Sequence, residues 1–253
     1  MILTSKNNPL IKETVSLKEK KGRKQHGLFL VEGVKMVKEC LRSHMQVERI
    51  FLAEHYDGEA EFLNGYEDIT ICVHDEVLRT LCDEKTPQGI VCRVKIPQNT
   101  LEKPQGTALF LDGVADPGNV GAIIRTANAA GYKQLYLTRA CADAYAPKSV
   151  RASMSGIFFT KLYIAERAEI LSILQGVPIV VADMHGENAF NFNAPETFVL
   201  AIGNEANGIS NDTFNAAAST VKIPMDGEQE SLNAAVSAGI LMYLLKKNQF
   251  TDK

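Results

Sequence analysis

Short apolar runs alternate with amphipathic stretches along this chain. In the first hundred residues, 28–32 (LFLVE) reads as a strand. Residues 33–43 place Val34, Val37 and Leu41 at helical spacing. A second strand is expected over 47–53 (VERIFLA). A short capped helix is expected over 75–82, with an acid at its start and then Val77, Leu78 and Leu81. A third strand is expected over 89–95. The stretch 96–106 is polar and carries Pro97, Pro104 and Gly106, so it reads as a connection. We take 1–97 as one domain, 98–106 as the linker and 107–253 as a second domain.

Past the linker the alternation is stricter. Strands are expected at 107–112, 134–138, 157–163, 178–183, 197–203 and 220–225. Helices are expected at 121–131, 148–155, 167–175 and 231–247, with a short helical stretch after residue 203. Apolar strands interleaved with helices predict an α/β fold whose mostly parallel sheet is covered on both faces. Such sheets bind ligands at the carboxyl ends of their strands. The loops that leave the strands are therefore the ones to read for chemistry.

Composition and charge narrow the classes. The chain has 253 residues, 45% of them apolar and 23% charged, which is ordinary for a globular protein. No apolar run approaches the roughly 18–20 residues of a membrane span. The first residues show no secretory apolar core, so a cytoplasmic protein is expected. The five cysteines, Cys40, Cys72, Cys82, Cys92 and Cys141, are scattered without metal-ligand spacing, and no metal is expected. The formal net charge of −3 hides an asymmetry. Residues 1–50 hold 11 basic against 5 acidic side chains, and residues 51–99 hold 4 against 10. Lys18, Lys20, Lys21, Arg23 and Lys24 form the densest basic cluster. They are the candidates for phosphate contacts with a polyanion, or else a solvated helix face.

Three loops carry unusual residues. The first follows Asp112 and contains Asn119-x-Gly121-x-x-x-Arg125. It has neither a dinucleotide fingerprint nor a P-loop. Asn119 could be a helix cap. Arg125, among small residues, calls for a partner and could form a structural salt bridge. The second is Ile202-Gly203-Asn204-Glu205-Ala206-Asn207-Gly208, where a strand stops at a glycine and a carboxylate follows. It could also be an ordinary turn. The third runs from Ile223-Pro224-Met225 to Ser231-Leu232-Asn233. There Ser231 is a candidate cap for the last helix, and free backbone N–H groups could hold a polar ligand.

In this order and spacing the three loops resemble the three motifs of the SpoU (TrmH-like) RNA ribose 2′-O-methyltransferases of the SPOUT class. The likeness spans about residues 107–247. Phe29-Leu30-Val31-Glu32-Gly33 and Thr86-Pro87-Gln88-Gly89 resemble, more weakly, the small ribosomal-protein-like α/β domain that binds substrate in such enzymes. Ala234 and Ala235 stand where many members carry larger or hydroxylated residues.

The resemblance implies a trefoil-knotted methyltransferase domain, a homodimer, and S-adenosyl-L-methionine as the methyl donor. It places Ile202, Gly203, Gly208, Ile223, Met225, Ser231 and Leu232 at the cofactor. It places Arg125, Asn119, Glu205, Ser231 and Asn233 at the chemistry. An arginine is effectively always protonated. Arg125 is therefore expected to orient the ribose hydroxyl and stabilise developing charge, with Asn119, Glu205 and Asn233 holding it and the ribose. The implied substrate is RNA, large-subunit ribosomal RNA in preference to transfer RNA. The alternatives are a transfer-RNA ribose methyltransferase and a non-catalytic RNA-binding protein of the same fold.

Overall fold

Two helices that the apolar pattern does not show precede the first strand. The computed structural model describes residues 2–228 and 231–250. It divides into two units, residues 1–98 with 145–158 and residues 99–144 with 159–253. In the first unit, α1 (Pro9–Ser16) starts behind Asn8, whose side chain accepts the Leu10 N–H at 2.9 Å. The next helix, α2 (Lys20–His26), reads KKGRKQH and has no apolar stripe to betray it. It is held instead through Arg23, which is 4% exposed and donates from Nη1 to the carbonyls of Leu17 (2.8 Å) and Lys18 (2.7 Å).

Strands β1 (Leu28–Glu32), β2 (Val47–Ala53), β3 (Thr70–Val73) and β4 (Ile90–Lys95) form one sheet in the order β1-β4-β2-β3. The β2–β3 pair is parallel; β4 runs antiparallel to both its neighbours. Helices α3 (Val34–Arg42) and α4 (Asp75–Leu81) pack on this sheet. Leu30, Phe51, Val73 and Val91 pack with Ile11, Leu17, Leu78 and Leu81 in one core. Arg93 is buried within this unit. Its charge is paired with Glu48 at 3.0 Å and with Glu13, as a buried cation requires.

The second unit opens with β5 (Ala108–Asp112), buried at every position. Its successor α5 (Pro117–Ala129) begins four residues earlier than the spacing predicts. Asp116 caps it by accepting the Asn119 N–H at 2.9 Å, and Pro117 suits the first helical position. Asn119 is thus inside the first turn and is not the cap. Strand β6 (Gln134–Thr138) forms as expected. Residues 145–158, with α6 (Pro147–Ala152), then belong with the first unit, where Tyr145 packs on Phe29 at a centroid distance of 5.0 Å. The strand expected at 157–163 is displaced. Residues 156–158 form a buried 3-10 turn, and β7 runs Lys161–Ala165.

The chain continues through α7 (Arg167–Ile173), β8 (Ile179–Asn188), β9 (Val199–Gly203), α8 (Asn211–Asn215), β10 (Ser219–Lys222) and α9 (Ala234–Leu245). All six strands are parallel, in the order β10-β8-β9-β5-β6-β7. The last strand stops at Lys222, short of the expected Met225, because Pro224 has no N–H to continue a ladder. The final helix begins at Ala234, not Ser231. Its cap is Asn233, whose Oδ1 accepts the N–H groups of Ala235 (2.9 Å) and Val236 (3.3 Å).

Candidate functional site

Parallel strands put their carboxyl ends on one side, so the loops after β5, β9 and β10 open at the same edge of the second unit. β5 and β9 are neighbours, with Asp112 opposite Gly203. The first two loops therefore leave the sheet side by side. β10 is the far edge strand, but α9 packs on α5 and β9. The third loop thus leaves β10 at the sheet edge after Lys222, and Asn233 opens α9 beside α5.

Beneath the loops lies a buried carboxylate whose role sequence reasoning missed. Asp112 is 2% exposed and accepts from Arg167 Nε (2.8 Å), Thr213 Oγ1 (2.7 Å) and the Ser210 hydroxyl (2.5 Å). Burial pushes its carboxyl up. The hydrogen bonds from Ser210, Thr213 and Arg167, with the guanidinium charge, outweigh this and hold it below the ordinary aspartate value. Asp112 thereby anchors the far end of the second loop to the end of β5. The available signal was an acid closing an otherwise apolar strand, since such a group must find partners when buried.

The second loop folds back on itself. The backbones of Asn204 and Gly208 pair through two 2.9 Å hydrogen bonds, and Asn204 Nδ2 donates to the Gly113 carbonyl at 2.8 Å. A Cβ on Gly203 would lie 2.3 Å from the Gly208 carbonyl carbon, so only glycine fits there. The fold-back presents Glu205 to the first loop. Glu205 accepts the N–H groups of Ala115 (2.9 Å) and Asp116 (3.2 Å) and the side-chain amide of Asn119 (2.9 Å). Burial raises its carboxyl, but these donors more than compensate and leave it below the usual glutamate range.

The third loop joins the same chain of bonds. Asn233 Nδ2 donates to Asn119 Oδ1 at 2.9 Å. The direction is fixed at both ends: Asn233 Oδ1 is committed to the helix N–H groups, and the Glu205 carboxylate can only accept. Asn119, Glu205 and Asn233 are thus one directed network across three loops.

Arg125 is not part of it. Six residues beyond Asn119 on α5, it stands roughly 9 Å further along the helix axis on a different face. It is exposed, with no hydrogen-bond or ion-pair partner among the described residues. The expectations that a salt bridge ties it down and that the asparagines and Glu205 hold it are both corrected. Ser231 is exposed and is not the helix cap, and no hydrogen bond ties it to the network among the described residues. Ile202 is buried at the end of β9, whereas Met225 and Leu232 are each 38% exposed and Ile223 is half-buried.

The basic cluster is divided. Lys20, Lys21 and Lys24 are exposed on α2, and Lys18 is half-buried with its amine on the Cys82 carbonyl at 2.5 Å. Arg23 is corrected: its guanidinium is spent inside the fold and does not face solvent.

Residues 106–243 match the SpoU rRNA Methylase family, and residues 8–92 match the MRM3-like substrate binding domain. The chain is 28% identical over 247 residues to the 23S rRNA (guanosine(2553)-2′-O)-methyltransferase RlmP of Bacillus subtilis (strain 168), covering 96% of this chain and 98% of that protein. It is 30% identical over 262 residues to the 23S rRNA (uridine(2479)-2′-O)-methyltransferase of Streptomyces viridochromogenes, covering 95% and 90%. A crystal structure of an AdoMet-bound rRNA methyltransferase from Sinorhizobium meliloti superposes with a TM-score of 0.88 at 26% identity, covering 99% of each chain.

Proposed function

This chain belongs to the SpoU rRNA Methylase family, and from that premise we propose that it methylates a ribose 2′-hydroxyl of large-subunit ribosomal RNA, using S-adenosyl-L-methionine. The observation that carries the reading is the network from Asn233 through Asn119 to Glu205, which gathers three loops at one end of a parallel sheet. The names of the two bacterial relatives specify different bases, guanosine and uridine, but the same 2′-oxygen. That fits a site whose shared residues address ribose, with base choice made elsewhere.

The loops fit the methyl donor. Met225 and Leu232 stay exposed although apolar, and Ile223 is half-buried beside them in sequence, so this segment offers apolar contact to a purine and a thioether chain. Gly203 and Gly208 bring backbone close to the same edge. Ile202, Gly203, Gly208, Ile223, Met225, Ser231 and Leu232 would hold the group, which supplies an electrophilic methyl on sulfonium. The protein's task is then alignment of the nucleophile, where positioning dominates the rate.

Glu205, fixed by two backbone N–H groups, sets Asn119, and Asn119 sets the start of α9 through Asn233. Together they hold the loops that frame the ribose. The exposed guanidinium of Arg125 orients the 2′-hydroxyl, stabilises the alkoxide that develops as its proton passes to solvent water, and grips the neighbouring phosphate. Ser231 contributes a hydroxyl at the entrance of the last helix. The 1–97 domain selects the RNA, with Lys20, Lys21 and Lys24 on its phosphates.

α9 buries Ala238, Leu241 and Met242 but leaves Val236 and Tyr243 half-exposed, one heptad apart, beside α5. We assign that face to a homodimer, testable as twice the chain mass in light scattering. A carboxyl-terminal segment tucked through a loop as a trefoil knot and a cytoplasmic location complete the reading. No helix among the described residues is long and apolar enough to cross a membrane.

Mapping 2′-O-methyl positions in ribosomal and transfer RNA from a deletion strain and its parent tests the proposal. We expect one large-subunit site to disappear, to return with the wild-type gene, and to stay absent with Arg125→Ala, whose S-adenosylmethionine affinity is retained. A missing site in transfer RNA alone, or full rescue by Arg125→Ala, refutes it.

A further inference from the structure

The first unit contains a cavity of about 920 Å³, bordered by His55–Glu59, by Lys85–Gly89 and by the starts of α3 and α4. This lies within the roughly 300–1,000 Å³ typical of small-ligand sites. One rim is unusually well fixed. Gln88 Oε1 accepts the Val34 N–H at 2.9 Å, against Gly33. The Glu32 carboxylate accepts the N–H groups of Asp83 (2.8 Å) and Glu84 (3.2 Å). The two ends of the 83–88 loop are thereby pinned to the end of β1 and to the start of α3. Between the pins, Lys85 and Thr86 stand exposed, with no hydrogen-bond or ion-pair partner among the described residues. On the other side Tyr56 is braced by its hydroxyl on the Glu59 carbonyl at 3.1 Å, and His55 Nδ1 meets Asp75 at 3.0 Å.

The lining chooses among occupants. A groove that tracks a phosphate backbone is lined by cations. Here Asp57, Glu59 and Asp75 balance Lys38, Arg79 and Lys85, and Lys38 and Arg79 are already paired with Glu59 (3.6 Å) and Glu76 (2.7 Å), so the wall has no excess positive charge for a run of phosphates. A single splayed base offers amino groups to carboxylates, a π-face to tyrosine and one phosphate to a lysine, which is how single-stranded RNA is read by sequence. We propose that this cavity receives one unpaired nucleotide of the RNA substrate, with Lys85 on its phosphate, Tyr56 against its base and Thr86 at its polar edge. The proposal rests on the methyltransferase reading above. It adds the place where sequence context is read, within residues 8–92, which match a substrate-binding domain.

The test uses the full chain with Lys85→Glu and Thr86→Val, positions at which no internal bond is lost. Methylation kinetics are measured on large-subunit ribosomal RNA from a strain lacking the protein. The same RNA, substituted with 4-thiouridine, is photo-crosslinked to wild type. We expect KM for RNA to rise about fivefold or more, kcat at saturating RNA and S-adenosylmethionine affinity to stay within twofold, and crosslinked peptides to include 55–59 or 85–89. An unchanged KM overturns the proposal. So does a raised KM with crosslinks confined to 20–24, because the substitution then acts at a distance. A KM change seen only with ribosomal particles assigns the cavity to a protein and overturns it too. If wild type neither methylates nor crosslinks RNA, the functional reading itself fails and the cavity's role falls with it; in the preceding outcomes wild-type methylation stands.

Discussion

Asn233 donates its side-chain amide to Oδ1 of Asn119 at 2.9 Å, joining the cap of the last helix to the first turn of α5 across 114 residues of sequence. The same Asn119 passes its own amide to Glu205. Asn119 is therefore the hinge of the network, donor and acceptor at once. Asn119→Asp keeps the shape, removes the donor and sets a second carboxylate against Glu205. Misplacement on the ångström scale costs up to about 100-fold in rate. We expect single-turnover methyl transfer to fall about 10–100-fold, while S-adenosylmethionine affinity by calorimetry changes less than threefold. A turnover equal to wild type would remove the network from the chemistry.

Gly203 is under a different constraint. Its Cβ would meet the Gly208 carbonyl carbon at 2.3 Å, a backbone atom that cannot step aside. Gly203→Ala should open the fold-back of the second loop and weaken S-adenosylmethionine binding at least tenfold. The sheet below should survive, because the strand ends at this residue. Calorimetric titration and circular dichroism together check this. Undiminished affinity would show that the fold-back does not shape the cofactor site.

What the sequence disclosed follows from what it can encode locally. Strand β6 is readable because its three central positions, Leu135, Tyr136 and Leu137, form an apolar run in a strand buried at every position. The family motifs located Asn119, Glu205 and Asn233. Helix α2 was not readable, since KKGRKQH has no apolar period and its stability comes from Arg23 reaching back to Leu17 and Lys18. Nor were the partners of Asp112: Arg167, Ser210 and Thr213 lie 55 to 101 residues away, and no spacing rule joins them. The small residues around Arg125 predict a partner for it, yet it stands exposed. Small residues on an exposed face leave the same trace.

The division within the basic cluster predicts two distinct phenotypes. Lys20, Lys21 and Lys24 are exposed, so reversing all three to Glu should weaken RNA binding and flatten its salt dependence without altering thermal stability. Arg23→Ala should do the opposite. It leaves the buried Leu17 carbonyl and the half-buried Lys18 carbonyl without their donor and should destabilise the first unit by about 1–3 kcal/mol. Filter-binding titrations across salt concentrations and thermal melts separate the two. A salt slope unchanged by the triple reversal would take α2 out of the RNA footprint.

The Asp112 cluster makes stability depend on acid in a definite direction. Its carboxyl sits below the ordinary aspartate value in the folded protein, because the Ser210, Thr213 and Arg167 hydrogen bonds outweigh burial. A group with a lowered folded value contributes its full stability above the unfolded value, about 3.9, and loses it as pH falls through the folded one. Asp112→Asn keeps the volume but cannot accept all three donors, and leaves Arg167 without a counter-charge. We expect the variant to be less stable by about 1–3 kcal/mol at pH 7. The gap between variant and wild type should be constant down to about pH 5 and should shrink below about pH 4. Urea titrations of both proteins at pH 7, 5 and 3.5 measure the gap directly. Taking the difference removes the other carboxylates, which titrate alike in the two proteins. A gap that widens on acidification would mean that the carboxyl is raised in the folded state, so that burial prevails over its three partners.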